Sequence, residues 1–414
     1  MESTMYKSVD SFRPHFDALA RAGYFKLGLH VFAPVSQLKR SLHKYYRIIV
    51  WLLILTYNLQ HVIRVTRHSI DQMVDTLFIL LTTLNTLGKQ VAFNARARRI
   101  QHVLNIIDGE LFAPRNTFHE TVLKTNAVAM SRLLILYHSA IYICTVLWTV
   151  FPLVNKALGY QVEFTGYFPF NTKDSPFFEL TVAYMSLLIM LQAYGNVTMD
   201  CTIVAFYAQA KTQLQMLRFD LEHFNDFDRD IKWDSDVIAN KFDLYRDLNQ
   251  RYNIILKKRL VRCVKHYEKI TWFVKEVESI FGEALVIQFI VMAWVICMTV
   301  YKIIDLSLLS AEFLSMAVYL GCMLAQLFIY CYYGTQVKFE SDFVNQSVYN
   351  SNWLSLSPRF RVNLLIIMER CYRSIEPRTA YIVPMSLETY IASANYNIIL
   401  SNYISVNFFG LIQF

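Results

Sequence analysis

Seven stretches of the chain are apolar over bilayer-spanning lengths, and most charged positions fall between them. They cover residues 45–63, 72–93, 133–155, 177–208, 280–301, 308–333 and 380–404. A helix needs ~20 predominantly apolar residues to cross the hydrocarbon core of a membrane. The pattern predicts an all-α membrane protein with seven transmembrane helices. The second stretch carries Asp75 and Lys89 near its two ends, and the fourth is long enough to leave the bilayer as a continuing helix. The seventh is the most polar, with Asn395, Asn397, Ser401, Asn402, Ser405 and Asn407 in and just beyond it. The leading segment, MESTMYKSVDSFRPHFDALARAGYF, lacks the continuous apolar core of a signal peptide, so the first span is expected to act as the targeting signal.

Composition agrees with a membrane protein. Of 414 residues, 55% are hydrophobic and only 17% charged, where soluble domains carry about a quarter. Lys and Arg distribution then sets the orientation. Lys7, Arg13, Arg21, Lys26, Lys39, Arg40 and Lys44 precede the first span, and the connections after spans two, four and six are also basic. The other side offers Arg64, Arg67, Lys156, Lys173 and Lys302. The N-terminus is therefore expected in the cytoplasm and the C-terminus outside. G-protein-coupled receptors run the other way.

This orientation divides the chain into a cytoplasmic N-terminal segment (1–44), spans one to four (45–208), cytoplasmic helical extensions (209–279), spans five and six (280–333), a cytoplasmic anchor region (334–379), the last span (380–404) and an extracellular tail (405–414). The formal charge of +8 is mostly this inner-face bias. It points to membrane lipid and not to nucleic acid. All seven cysteines fall in spans or inner segments, so no extracellular disulfide is expected.

The cytoplasmic segments are patterned. AKTQLQMLRFDLEHF sets Leu214, Leu217, Leu221 and Phe224 at helical spacing, and a second such run leads without Gly or Pro into span five. Packing within one subunit and assembly of subunits both fit these faces. SPRFRVNLLIIMERCYRSIEP, with Ser357 as N-cap and Pro358 at N1, predicts a cytoplasmic helix that ends at Pro377. Ahead of this helix, Gly334 interrupts the apolar run of span six, and Lys338, Glu340 and Asp342 follow within two turns.

The run AQLFIYCYYGTQV, then SVYNSNW, then the arginine-rich helix ending in Pro377, then SLETY, resembles the C-terminal signature of insect odorant receptors. Gln326, Phe328, Tyr330, Cys331, Gly334, Trp353, Pro377, Ser386, Leu387, Glu388 and Thr389 match it, and Tyr390 replaces the family's Phe. These motifs cover the last ninety residues, and the inverted seven-span layout extends the resemblance over the chain. The related gustatory receptors end in a Gln-Phe pair where this chain has Tyr396-Asn397.

The resemblance implies a ligand-gated, non-selective cation channel. It implies a tetramer with a co-receptor subunit at the plasma membrane of olfactory neurons, gated by a small volatile odorant. It places Ile399, Tyr403, Val406 and Asn407 on the pore and gate of the last helix. The residues themselves fit a water-lining role. Polar groups at membrane depth face protein or water, and Glu388 is the only charge after Arg378. A pore without a carboxylate ring discriminates cations poorly. Polar residues also glue helices together, which is the plainer reading.

The family's ligand site lies in the outer half, among spans two, three, four and six. Here those segments offer Leu77, Phe78, Leu81, Cys144, Thr145, Trp148, Met185, Ile189, Met316 and Tyr319. An aromatic and Met-rich lining suits a small, weakly polar ligand, although each residue alone could be helix packing. His138 reads as a packed, hydrogen-bonded histidine, and Asp200 as a structural contact near the inner end of span four. No phosphate-binding loop and no metal-ligand spacing occurs, so no cofactor and no enzyme activity are expected. A secondary transporter lacks support, since no internal repeat is evident.

Overall fold

The computed structural model describes residues 6–26, 36–67, 70–159, 162, 164–225, 241–304, 311–379, 383–393 and 395. Helices account for nearly all of it: α1 (Arg13–Arg21), α2 (Gln37–Arg67), α3 (Ile70–Ala95), α4 (Ala97–Ile107), α5 (Thr117–Ala157), α6 (Phe177–Glu222), α7 (Lys241–Ile304), α8 (Ala311–Asn350) and α9 (Pro358–Cys371). Local sequence sets several of their ends. The Asn116 side chain accepts the His119 N–H at 2.7 Å and caps α5, satisfying a donor that the first turn leaves orphaned. Pro358 occupies the first turn of α9 after Ser357, where its missing N–H is harmless. That helix stops at Cys371, earlier than Pro377. The chain then turns into a two-residue antiparallel hairpin, β1 (Arg378–Thr379) with β2 (Val383–Pro384).

Among the described residues, five helices are long and apolar enough to cross a membrane, lying within α2, α5, α6, α7 and α8. They correspond to predicted spans one, three, four, five and six. The helix α3 coincides with the second. The seventh is described only over 383–393 and 395, of which 387–393 is helical. At 1.5 Å per residue, α6 is ~69 Å long and α8 ~60 Å. Both far exceed a ~30 Å hydrocarbon core, so each continues well beyond it.

The sixth helix passes through Gly334, where the apolar run ends, without a break. It continues to Asn350, and the glycine serves close approach. A Cβ there would lie 2.0 Å from the Met385 carbonyl oxygen. Gly195 on α6 likewise seats the Tyr24 ring, which a Cβ would meet at 2.2 Å.

The largest core lies along the far parts of the long helices. It joins Phe206, Leu214 and Leu217 of α6, Phe273 and Phe281 of α7, and Tyr330, Val337 and Val344 of α8. Ion pairs reinforce this end: Arg96–Glu283 at 2.6 Å, Arg99–Glu276 at 2.8 Å, Arg115–Asp220 at 3.0 Å and Arg218–Glu340 at 2.5 Å. Toward the opposite end the helices present apolar side chains outward. Ile135, Leu136, Ile143, Val146 and Leu147 of α5 are all more than half exposed, as a surface facing lipid should be.

Candidate functional site

Near the start of α6, successive turns bring Val182, Met185, Ser186 and Ile189 onto one face, the i, i+3, i+4, i+7 spacing of a helix. The helix α5 supplies Thr145, Trp148 and Pro152 on the facing side, and the connection between the two helices contributes Val162, Phe164 and Thr165. These ten residues enclose a cavity of about 110 Å³. An apolar cavity of about 150 Å³ accommodates benzene, so this space has the scale of a single ring. The walls are apolar and aromatic apart from three hydroxyls, on Thr145, Thr165 and Ser186.

Two of those hydroxyl-bearing residues are held from behind. Thr145 accepts the Thr149 Oγ1 hydrogen bond at its carbonyl, 2.8 Å away. The Thr165 Oγ1 lies 3.4 Å from His61 Nε2. His61 Nδ1 faces the Tyr57 carbonyl at 2.8 Å, so Nδ1 must carry the proton and Nε2 accept from Thr165. Buried Tyr57, Met185 and Leu188 pack behind this wall, with Ile79 of α3, Phe168 and Tyr184 against them.

Of the residues predicted for a ligand site, Thr145, Trp148, Met185 and Ile189 line this cavity. Leu77, Leu81, Met316 and Tyr319 are partly buried outside its lining. Tyr319 lies beside Thr82 of α3, and Cys144 beside the Cys322 thiol of α8. The Phe78 side chain lies outside the described residues, as do Ile399, Tyr403, Val406 and Asn407. Sequence reasoning omitted Pro152, Val162, Phe164, Thr165, Val182 and Ser186. Val182 and Ser186 were within reach, since they share the helical face of Met185 and Ile189. The loop residues carried no periodic signal.

About 16 Å further along α6, eleven residues beyond Ile189, stands a polar group that the sequence reading left as a lone structural contact. Asp200 pairs with Lys89 of α3 at 2.5 Å, and both are almost fully buried. The Tyr330 hydroxyl donates to the same carboxylate at 2.6 Å, and Gln326 donates through its side-chain amide. Gln326 and Tyr330 sit four apart on one face of α8. Three helices therefore meet at a single carboxylate. His138 is a packed residue, stacked on Tyr194 at 4.1 Å with Nε2 2.9 Å from the Thr198 hydroxyl.

The remaining motif residues of α8 hold the start of the last segment. Phe328 packs edge-on against Tyr390, with centroids 5.6 Å apart, and Gly334 receives the Met385 backbone. Thr335 Oγ1 accepts the Leu387 N–H at 2.9 Å. Ser386 Oγ accepts the Thr389 N–H at 3.2 Å, and Thr389 Oγ1 donates to the Pro384 carbonyl at 2.8 Å. SLETY is thus a helix N-cap.

Comparison with known proteins agrees with this arrangement. The sequence model of the 7tm odorant receptor family matches residues 69–396. Odorant receptor 46a, isoform A, of Drosophila melanogaster is 22% identical over 334 residues, 80% of this chain and 81% of that receptor. Odorant receptor Or1 of Anopheles gambiae is 20% identical over 327 residues, 77% of each chain. The fold matches that of olfactory receptor OR5 from Machilis hrabei. That receptor's unliganded structure superposes with a TM-score of 0.79 and its complex with eugenol with 0.76, each at 16% identity over 95% of this chain and 97% of that one. With its C-terminal signature motifs, its long helices and a family match over most of its length, the chain belongs to the odorant receptor family of insects and not to the enzymes.

Proposed function

We propose that this chain is the tuning subunit of an odorant-gated, non-selective cation channel at the plasma membrane of olfactory sensory neurons. The observation that carries this reading is the small cavity between α5 and α6, apolar and aromatic with three hydroxyls. Such a lining selects a volatile by shape and dispersion, with one or two hydrogen bonds to orient it. The olfactory receptor of the same fold that was solved with eugenol supports a volatile as the ligand class.

In this proposal seven spans put the N-terminus in the cytoplasm and the C-terminus outside. Residues 209–279 and 334–379 form the cytoplasmic part. The last span lines a central pore with Ile399, Tyr403, Val406 and Asn407, and the chain assembles as a tetramer with a co-receptor subunit. Leu77, Phe78, Leu81, Cys144, Met316 and Tyr319 form the surroundings into which the cavity extends when a larger ligand binds. The test is expression with and without a co-receptor subunit while an odorant panel is applied. Inward current to a subset of volatiles is expected. Surface-resident receptor that gives no ligand-evoked current in any subunit combination would overturn the proposal.

Trp148 gives a sharper check. Its ring lines the cavity yet is 43% exposed, so truncation removes ligand contact with less loss of packing than at a buried Trp. One aromatic contact is worth about 1 kcal/mol, about a fivefold change in affinity. Trp148→Ala is expected to shift the half-maximal concentration of active odorants by about fivefold and to reorder them. An unaltered dose–response series at normal surface abundance would remove Trp148 from the site.

A further inference from the structure

At the end of the bundle opposite the cavity, the cations of α4 follow two different rules. Arg96 and Arg99 each have a carboxylate, Glu283 and Glu276 respectively. Arg98, between them, is exposed and, among the described residues, has no carboxylate within 4 Å. It lies three residues from Gln101, and so on the same face of α4. Lys26 reaches that face, with its Nζ 3.3 Å from Gln101 Oε1. Arg47 of α2 closes the group. Its Nη2 donates to Asn94 Oδ1 at 2.5 Å, while Asn94 Nδ2 donates to the Tyr24 carbonyl, two residues from Lys26.

Arg40 stands seven residues, two turns, before Arg47 on the same side of α2. Neither Lys26 nor Arg47 has a carboxylate partner among the described residues, and Arg47 Nε is buried without an acceptor. The mutual proximity shows in the lysine: burial first, and then Arg40, Arg47 and Arg98, hold its pKa below the usual value. Beside these cations the first turns of α2 expose Leu38, Leu42 and Tyr45, at 82%, 69% and 66%. Apolar side chains beside a cation cluster are the marks of a membrane-interface surface.

Lys26, Arg47 and Arg98 gather as like charges with no carboxylate partner among the described residues, a repulsion that a bound anion would relieve. The anion must match several convergent cations, and guanidinium groups bind phosphate through paired N–H donors. We infer that Lys26, Arg40, Arg47 and Arg98 form a binding site for a multiply phosphorylated inositol headgroup, presented by a lipid of the leaflet that α2 enters. The inference rests on the cytoplasmic placement of this end proposed above. Its readout is lipid retention, which is independent of channel opening.

The test uses the full chain in nanodiscs of phosphatidylcholine doped with phosphatidylinositol bisphosphate, with native mass spectrometry to count retained lipid. Wild-type protein is expected to retain the bisphosphate lipid. Arg98→Glu, which breaks no side-chain hydrogen bond among the described residues, and Lys26→Gln/Arg98→Gln are each expected to retain about tenfold less. A control, Lys257→Gln/Lys258→Gln, removes two exposed cations elsewhere and is expected to behave as wild type. Inositol trisphosphate added to undoped nanodiscs separates the sources. Weaker binding of the soluble headgroup supports the lipid, and equal binding by the same residues assigns the site to the free phosphate. Equal lipid retention by control and cluster variants would overturn the inference.

Discussion

Asp200→Leu is expected to abolish surface expression, or to lower the melting temperature of the solubilised receptor sharply, because it strands the Lys89 ammonium. That charge is 1% exposed and its only ion-pair partner among the described residues is Asp200. Removing one partner of a buried pair is destabilising by about 3–5 kcal/mol. The amide of Gln326 and the hydroxyl of Tyr330 would lose their common acceptor as well. Lys89→Met should be milder, since the carboxylate keeps two hydrogen bonds and can take up a proton. Joining the two as Lys89→Met/Asp200→Leu should recover much of the loss, because replacing a buried pair by apolar groups is often neutral. A single Asp200→Leu variant that melts like wild type would mean that the two charges do not meet in the bilayer.

This hub shows where sequence reasoning stops. Lys89 and Asp200 were each visible as isolated charges within apolar runs, but 111 positions separate them, and helix periodicity cannot pair residues on different helices. The signature residues of α8 were legible as a family resemblance without a physical reason. Packing supplies the reason: Gln326 and Tyr330 turn toward Asp200, while Phe328 and Gly334 turn toward the last segment. Helical runs were readable because apolar length and spacing are local properties. At the cavity, the α5 and α6 residues followed from the same periodicity. Phe164 and Thr165 did not, since a loop's position is set by what it covers. Gly334 was visible as the end of an apolar run, but its need to lack a Cβ comes from Met385, which the sequence alone does not place beside it.

Gly334→Ala is the second substitution expected to have a large effect. The new methyl would overlap the Met385 carbonyl oxygen at 2.0 Å and the Met385 Cβ at 2.8 Å. A backbone oxygen cannot rotate away as a side chain can, so either α8 or the segment leading into the last helix must shift. That shift would strain the Leu387 N–H to Thr335 bond and the Phe328–Tyr390 contact. Overpacking of this kind is destabilising by about 1–3 kcal/mol. Ligand-evoked current is expected to fall at least about tenfold, since 1.4 kcal/mol already corresponds to a factor of ten. Gly321→Ala on the same helix provides the control, because among the described residues nothing lies within 4 Å of a Cβ there; its current should match wild type. Equal currents from both variants would show that the seat of the last helix tolerates displacement.

The uneven distribution of the core has a mechanical consequence. Interlocked aromatic rings and ion pairs fill the end of the bundle remote from the cavity, while around the cavity the helices turn much of their surface to lipid. Resistance to deformation scales with the number of protein contacts that must break, and local opening is easiest where few exist. The receptor is thus stiff at one end and compliant at the other, with α6 passing through both. In the proposed channel, volatiles of different outline would reshape the compliant end at little risk to the fold. The rigid end would then sum those varied distortions into one movement.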